Sequence, residues 1–245
     1  MKIILLAMII TILMSSVAFS AGNSPANASS LSFAKTVTNT IDTTSANNYQ
    51  EKSDYFKFKT TKEDGITYRI YAIVIEKGPV EAGYLEIGLL DSDYGYVSDT
   101  IPYTYDMMGV YSVGSMETRD YKLKKNSTYY YQVYCTSDIR IKYQAGVKKI
   151  VAKPGIPEIK TVKSGNRKLV VSYGKAKYNN RYQIQIQKKG SSKWKTYNNG
   201  TKIKMTIGKL KKSAKYRVRI RAQRKVDGRW YSSKWSKASK YVKIR

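Results

Sequence analysis

The sequence predicts an all-β fold: two β-sandwich domains in tandem, preceded by a signal peptide. Three observations carry this expectation. Apolar and charged residues alternate with period two over short windows, as in Asp54-Tyr55-Phe56-Lys57-Phe58-Lys59, and no window sustains a helical period. Turn clusters such as Asp91-Ser92-Asp93-Tyr94-Gly95 separate these windows at the spacing of a sandwich or barrel. An abrupt change of charge at Val151-Ala152-Lys153-Pro154-Gly155-Ile156-Pro157 divides the 245 residues in two.

The elements follow in order. Residues 1–21 read as a signal peptide: Lys2 precedes an unbroken apolar run from Ile3 to Met14, and small residues then place cleavage near Ser20 or Ala21. The run is short for a membrane span, and no cysteine stands at the cleavage site to carry a lipid. Residues 22–48, rich in Asn, Ser, Thr and Ala, read as a flexible leader with a first edge strand at Ser32–Val37. Residues 49–150 form the first sandwich, with strands expected over Tyr68–Ile75, Gly83–Leu90, Ser115–Leu123, Thr128–Cys135 and a short last one at Ile139–Gln144. Residues 151–157 are the linker and 158–245 the second sandwich.

Within that second half, Leu210 precedes Tyr216-Arg217-Val218-Arg219-Ile220-Arg221-Ala222. Upstream stand the alternating strings Lys168–Tyr173, Arg181–Lys188 and Lys202–Ile207. Residues 154–245 thus resemble a fibronectin type III domain of the kind found in exported proteins of Gram-positive bacteria. The resemblance implies strands A (Glu158–Lys163), B (Lys168–Tyr173), C (Arg181–Lys188), C′ (Ser192–Tyr197), E (Lys202–Ile207), F (Ala214–Ala222) and G (Ser239–Arg245). Leu169, Val171, Tyr173, Tyr182, Ile184, Ile186, Ile203, Met205 and Ile207 would face inward. It also implies a corner in which the Tyr216 hydroxyl bonds backbone upstream. Tyr173 stands where many members carry a buried Trp. Asp54-Tyr55-Phe56-Lys57-Phe58 and Tyr121-Lys122-Leu123 through Tyr129-Tyr130-Tyr131-Gln132-Val133 are similar to the bacterial pre-peptidase C-terminal domain, which implies a jelly-roll-like first sandwich.

Charge narrows the function. Residues 21–150 are balanced, with fifteen bases and fifteen acids, whereas 151–245 hold 29 bases against only Glu158 and Asp227. Solubility needs far less charge than this, and such a field concentrates anionic partners. Strand F puts Lys215, Arg217, Arg219 and Arg221 on one face, beside outward Arg181, Gln183, Gln185 and Gln187 of strand C. Arg217, Arg219 and Arg221, with Lys188, Lys189, Lys193, Lys195, Lys211, Lys212 and Lys243, are therefore the expected polyanion-binding residues. A structural use competes for the arginines. Trp235-Ser236 resembles the Trp-Ser motif of cytokine-receptor fibronectin domains, which implies rings of Trp235 and Trp230 stacked on the strand F guanidiniums.

Other chemistry is thin. The chain has no histidine, which removes His-based triads and His-ligated zinc. Cys135 is its one cysteine, so no intramolecular disulfide forms, and its apolar surroundings make it a core residue. Asp91, Asp93, Asp99 and Asp106 crowd one segment. Turn formation, structural calcium on Asp91 and Asp93, and carboxylate hydrolysis all stay open there, with turn formation the leading reading. No cofactor is otherwise expected and no enzyme is expected. The expected function is a secreted or noncovalently wall-associated binding or adhesion protein on the cell surface. Its partner would be an anionic wall polymer or other polyanion, with carbohydrate or a surface protein as further partners of the first domain; nucleic acid is disfavoured by export. An accessory glycan-binding module stacking sugars on Trp194, Tyr197 and Trp230, and a hydrolase, are the alternatives.

Overall fold

A computed structural model of the chain describes residues 17–18, 22–33, 35–42, 52–78, 85–97, 108–110, 113–114, 116–135 and 140–245. Most of the signal-peptide segment, and Asp99 and Asp106, lie outside the described residues. Every regular element described is a β-strand, so the fold is all-β. The chain divides into two compact units, one of Met1–Lys62 with Ile66–Ile150 and one of Val151–Arg245 with Glu63–Gly65.

The first unit holds β1 (Val17–Ala18), β2 (Ser29–Ser30), β3 (Thr36–Asp42), β4 (Lys52–Lys59), β5 (Ile66–Lys77), β6 (Leu85–Leu90), β7 (Met108–Val110), β8 (Met116–Tyr121), β9 (Thr128–Cys135) and β10 (Arg140–Val151). They form two sheets, ordered β1-β3-β10-β5-β8 and β2-β4-β9-β6-β7. Leaving out the two-residue strands, this is the interleaved order of a jelly roll, eight strands in two Greek keys. Period-two alternation sends Phe56, Phe58, Tyr131, Val133, Leu85, Ile87, Ile141 and Tyr143 inward, all buried. Cys135 is buried among them.

Two boundaries differ from the sequence reading for a physical reason. The strand expected at Ser32–Val37 runs over Thr36–Asp42 and puts Val37 and Ile41 into the core, so this part of the leader is ordered against β10. The short last strand extends to Val151, because Ala145, Gly146 and Val147 are all buried in succession and mask the alternation. Gly146 is needed there: a Cβ would stand 2.5 Å from the Tyr71 hydroxyl, which bonds Thr36 Oγ1 at 2.8 Å.

The second unit holds β11 (Ile159–Gly165), β12 (Lys168–Tyr173), β13 (Arg181–Lys188), β14 (Lys195–Asn198), β15 (Lys204–Ile207), β16 (Lys215–Val226), β17 (Arg229–Ser232) and β18 (Val242–Lys243). One sheet is β11-β12-β15; the other is β14-β13-β16-β17, with β18 also on β16. This is the A-B-E on C′-C-F-G arrangement of a fibronectin type III sandwich. Leu169, Val171, Tyr173, Tyr182, Ile184, Ile186, Ile207, Val218, Ile220 and Ala222 fill the space between the sheets. The Tyr216 hydroxyl accepts from the Lys211 amide at 3.4 Å, the upstream bond expected of the corner. Ile203, expected inward, is 49% exposed, since β15 begins only at Lys204. Strand G falls within the expected Ser239–Arg245 but is regular only over Val242–Lys243, and the irregular stretch 233–240 leads into it.

Candidate polyanion-binding surface

Strands β13 and β16 pair antiparallel with Gln187 opposite Arg217, Gln185 opposite Arg219, Gln183 opposite Arg221 and Arg181 opposite Gln223. Each of these four rungs places one arginine across from one glutamine on the outer face of the sheet. In every rung the guanidinium Nε donates to the glutamine Oε1, at 2.7 Å for Arg217 and 2.8 Å for the other three. The amide ends carry the lattice onward: Gln183 donates to Asn198 at 3.1 Å, Gln185 to Thr196 at 2.9 Å and Gln223 to Ser232 at 2.9 Å.

Aromatic rings fill the gaps between the guanidiniums. Trp194 lies 5.4 Å from Arg217 and 4.2 Å from Arg219; Trp235 lies 4.9 Å from Arg219 and 4.6 Å from Arg221. Tyr241 caps the Arg217 end at 5.2 Å, and Trp230 covers Arg181 at 3.8 Å. Burial, and then the charges of Arg181 and Arg219, push the Arg221 pKa down from its ordinary value. The arginines of the expected binding ladder are thus held by partners inside the domain: flat cations between π faces, with donors aligned to amide oxygens. The ring between Arg217 and Arg219 is Trp194, which the sequence reading assigned to sugars.

The stretch carrying Trp235 is fixed by serines at every third position. The amides of Ala222, Ile220 and Val218 donate to the Oγ of Ser233, Ser236 and Ser239, each at 3.0 Å. The amides of the same serines return bonds to the carbonyls of those residues at 2.9, 2.7 and 2.8 Å. Three residues of the stretch therefore match two of the strand, which covers the edge of β16 without a regular strand.

The lysines lie elsewhere. Arg167 in the β11–β12 turn donates its amide to the Arg245 carbonyl and accepts from the Leu210 amide. Lys189 bonds Lys215 through the backbone, and Lys215 pairs with Lys243. These bonds gather the β11–β12 turn, the end of β13, the β15–β16 connection and β18 at one pole of the sandwich. Lys188, Lys189, Lys211, Lys212 and Lys243 of the expected set stand there, all exposed, as do Lys215, Arg167 and Lys168. Both acids are at the other pole: the Glu158 carbonyl binds the Gly174 amide beyond the far end of β12, and Asp227 lies in the β16–β17 turn. Lys193 and Lys195 stand apart at β14, where Lys195 reaches the Tyr197 ring at 5.4 Å. Arg167 and Lys168 were missed because their charge joins the others only through the topology of the A–B hairpin.

The remaining candidates do not assemble. Tyr197 packs against the core while Trp194 lies on the outer face, so the sugar-stacking trio Trp194, Tyr197 and Trp230 does not form one platform. In the first unit the Asp91 carboxylate accepts from the amides of Asp93 at 2.9 Å and Gly95 at 3.1 Å, which is turn chemistry. Among the described residues no three His, Cys, Asp or Glu gather closely enough to hold a metal. Two acids of that unit are perturbed: burial raises the Asp54 pKa, which hydrogen bonds from Tyr143 and Asn39 partly offset, and the hydrogen bond from Arg69 lowers that of Asp120.

No family model and no curated protein matches this chain. Among solved structures, similarity is found to the FN5 domain of Drosophila Lar, at 21% identity and TM-score 0.31, covering 37% of this chain and 96% of that one. A β-1,2-glucanase from Parabacteroides distasonis is similar at 10% identity and TM-score 0.32, over 85% of this chain and 32% of its own. The chicken CNTN1 FN1–FN3 domains are similar at 12% identity and TM-score 0.35, over 66% of this chain and 54% of theirs. The fibronectin type III-like fold of the second unit is read from its own strand order, three strands packed on C′, C, F and G.

Proposed function

We propose that the chain is an exported, non-catalytic surface-binding protein whose second unit holds anionic polymers at its basic pole. The observation that carries this reading is a cluster of exposed bases with no acid among them: Lys188, Lys189, Lys211, Lys212, Lys215 and Lys243 converge with Arg167 at one end, whereas the bases of the other end, Lys175, Lys177, Lys225 and Arg229, share it with Glu158 and Asp227. Lysine heads on flexible stems suit a repetitive polyanion such as a phosphate- or carboxylate-bearing wall polymer, for which many weak, screened contacts add up. The ladder arginines contribute fixed positive charge behind them. Retention on cell-wall fragments tests the proposal. Lys189→Glu, Lys215→Glu and Lys243→Glu together should abolish binding, and about 0.5 M salt should release the parent protein, because the Debye length then falls to roughly 4 Å. Retention insensitive to both would refute it.

A further inference from the structure

A second surface of the same unit is built differently. Strand β11 pairs with β12 on one side only and is the edge of its sheet. Facing its open side, across the seam between the two sheets, runs the serine-anchored stretch 236–242, and a cavity of ≈ 580 Å³ lies between them. Ile159, Val162 and Val242 form an apolar floor continuous with the core. Lys160, Lys237 and Lys240 stand on the rim, three cations against the single carboxylate of Glu158.

The alternation of hydrogen bonds fixes what the edge offers. The Tyr173 amide donates to Ile203, away from β11, so Ser172 and Val170 face β11 and bond Thr161 and Lys163 opposite them. Val162 lies between these two pairs, and its peptide N–H and C=O point outward into the cleft while its side chain packs inward.

We propose that this cleft takes an extended acidic peptide segment of a partner protein, added as a strand along β11. The edge supplies alternating donors and acceptors, which a peptide backbone complements and a sugar chain does not. The floor accepts every second side chain of such a strand, and the rim lysines meet acids at the intervening positions. Lysines and the bulge between Ile159 and Thr161 are also the usual means of keeping an edge from pairing with itself. Here they act as a charge filter: a second copy of this basic unit is repelled and an acidic strand is admitted.

The test is fluorescence anisotropy of the full-length chain with a labelled octapeptide of alternating Glu and Val. N-methylation of one set of alternate amides should weaken binding at least tenfold, and methylation of the other set should change it less than threefold. Val162→Pro removes the outward donor, which an edge strand tolerates, and should also cost at least tenfold at unchanged fold by tryptophan fluorescence. Lys237→Glu with Lys240→Glu should cost a similar factor and flatten the salt dependence. The Lys189, Lys215 and Lys243 reversal should leave peptide affinity within threefold while it abolishes polyanion retention, so the two surfaces succeed or fail separately. No measurable binding, equal loss on methylating either set, or equal competition by polygalacturonate would overturn the proposal.

Discussion

Removing the Trp235 side chain tests whether the arginine ladder holds the second unit together. The ring faces Arg219 at 4.9 Å and Arg221 at 4.6 Å, and the residue is half-buried. Each cation–π contact contributes about 0.5–1 kcal/mol at a partly exposed site. Full burial of a Trp is worth about 3–5 kcal/mol against Ala, so a half-buried ring adds roughly 1–2 kcal/mol. Trp235→Ala should therefore destabilise the unit by about 2–4 kcal/mol, or a fall in Tm on the order of 10–20 °C for a domain of this size. All three tryptophans lie in the second unit, so fluorescence-detected melting of the full chain reports that unit alone. Trp230→Ala is the internal comparison: its ring meets Arg181 at 3.8 Å on one face but is 39% exposed, and the cost should stay near 1 kcal/mol. If Trp235→Ala melted within about 0.5 kcal/mol of the parent, the ladder would be a surface arrangement without structural weight, and Arg219 and Arg221 would return to the ligand-binding set.

Three further outcomes are expected. Burial raises the Asp54 pKa above 3.8, so its contribution to stability is full below that value and is lost as pH rises through the folded pKa. Asp54→Asn should flatten this decline in urea melts of the first unit followed by circular dichroism. Gly146→Ala places a methyl group 2.5 Å from the Tyr71 hydroxyl and 3.0 Å from the Lys35 carbonyl, and should cost about 1–3 kcal/mol in the same melts. Tyr216→Phe loses a corner bond of 3.4 Å, long for a hydrogen bond, and should cost only about 0.5–1 kcal/mol by fluorescence melting.

The strands of the second unit were legible because each core side chain is aliphatic or tyrosine at strict alternation. The observed bounds of β12 and β13, Lys168–Tyr173 and Arg181–Lys188, match the expected ones residue for residue. The serine stretch leading into strand G was not legible. Ser233, Ser236 and Ser239 follow a period of three, which neither a helix nor a strand template reads, and their bonds go through side-chain oxygens. Ladder partners were half legible: Trp235 is announced by the Trp-Ser string, but Trp194 comes in from the loop before β14. The basic pole was legible as composition and not as a place. Its charges come from sequence-distant turns, and only closure of the sandwich brings Arg167, Lys189, Lys215 and Lys243 to one end. In the first unit, aromatic alternation marked β4 and β9, while the buried Ala145-Gly146-Val147 run hid the end of β10.

Two edges of the second unit's sheets, at β16 and β11, are managed in opposite ways, and the difference gives its charge a second meaning. At β16 the serine stretch uses the edge amides and carbonyls and presents lysines and Trp235 outward, so no further strand can add there. At β11 no such cover exists, and Lys160 and Lys163 stand on the edge instead. Electrostatic protection of this kind discriminates by sign, which a covalent or hydrogen-bonded cover does not. It opposes pairing between copies of this chain while leaving the edge open to anions. Salt should act on both: screening should weaken the proposed hold of the pole on a polyanion and lower the barrier to self-association along β11. High positive charge in this unit is therefore accounted for by an exposed edge as well as by the proposed anionic ligand. The two demands are separable because one falls on Lys189, Lys215 and Lys243 at the pole and the other on Lys160, Lys237 and Lys240 along the seam.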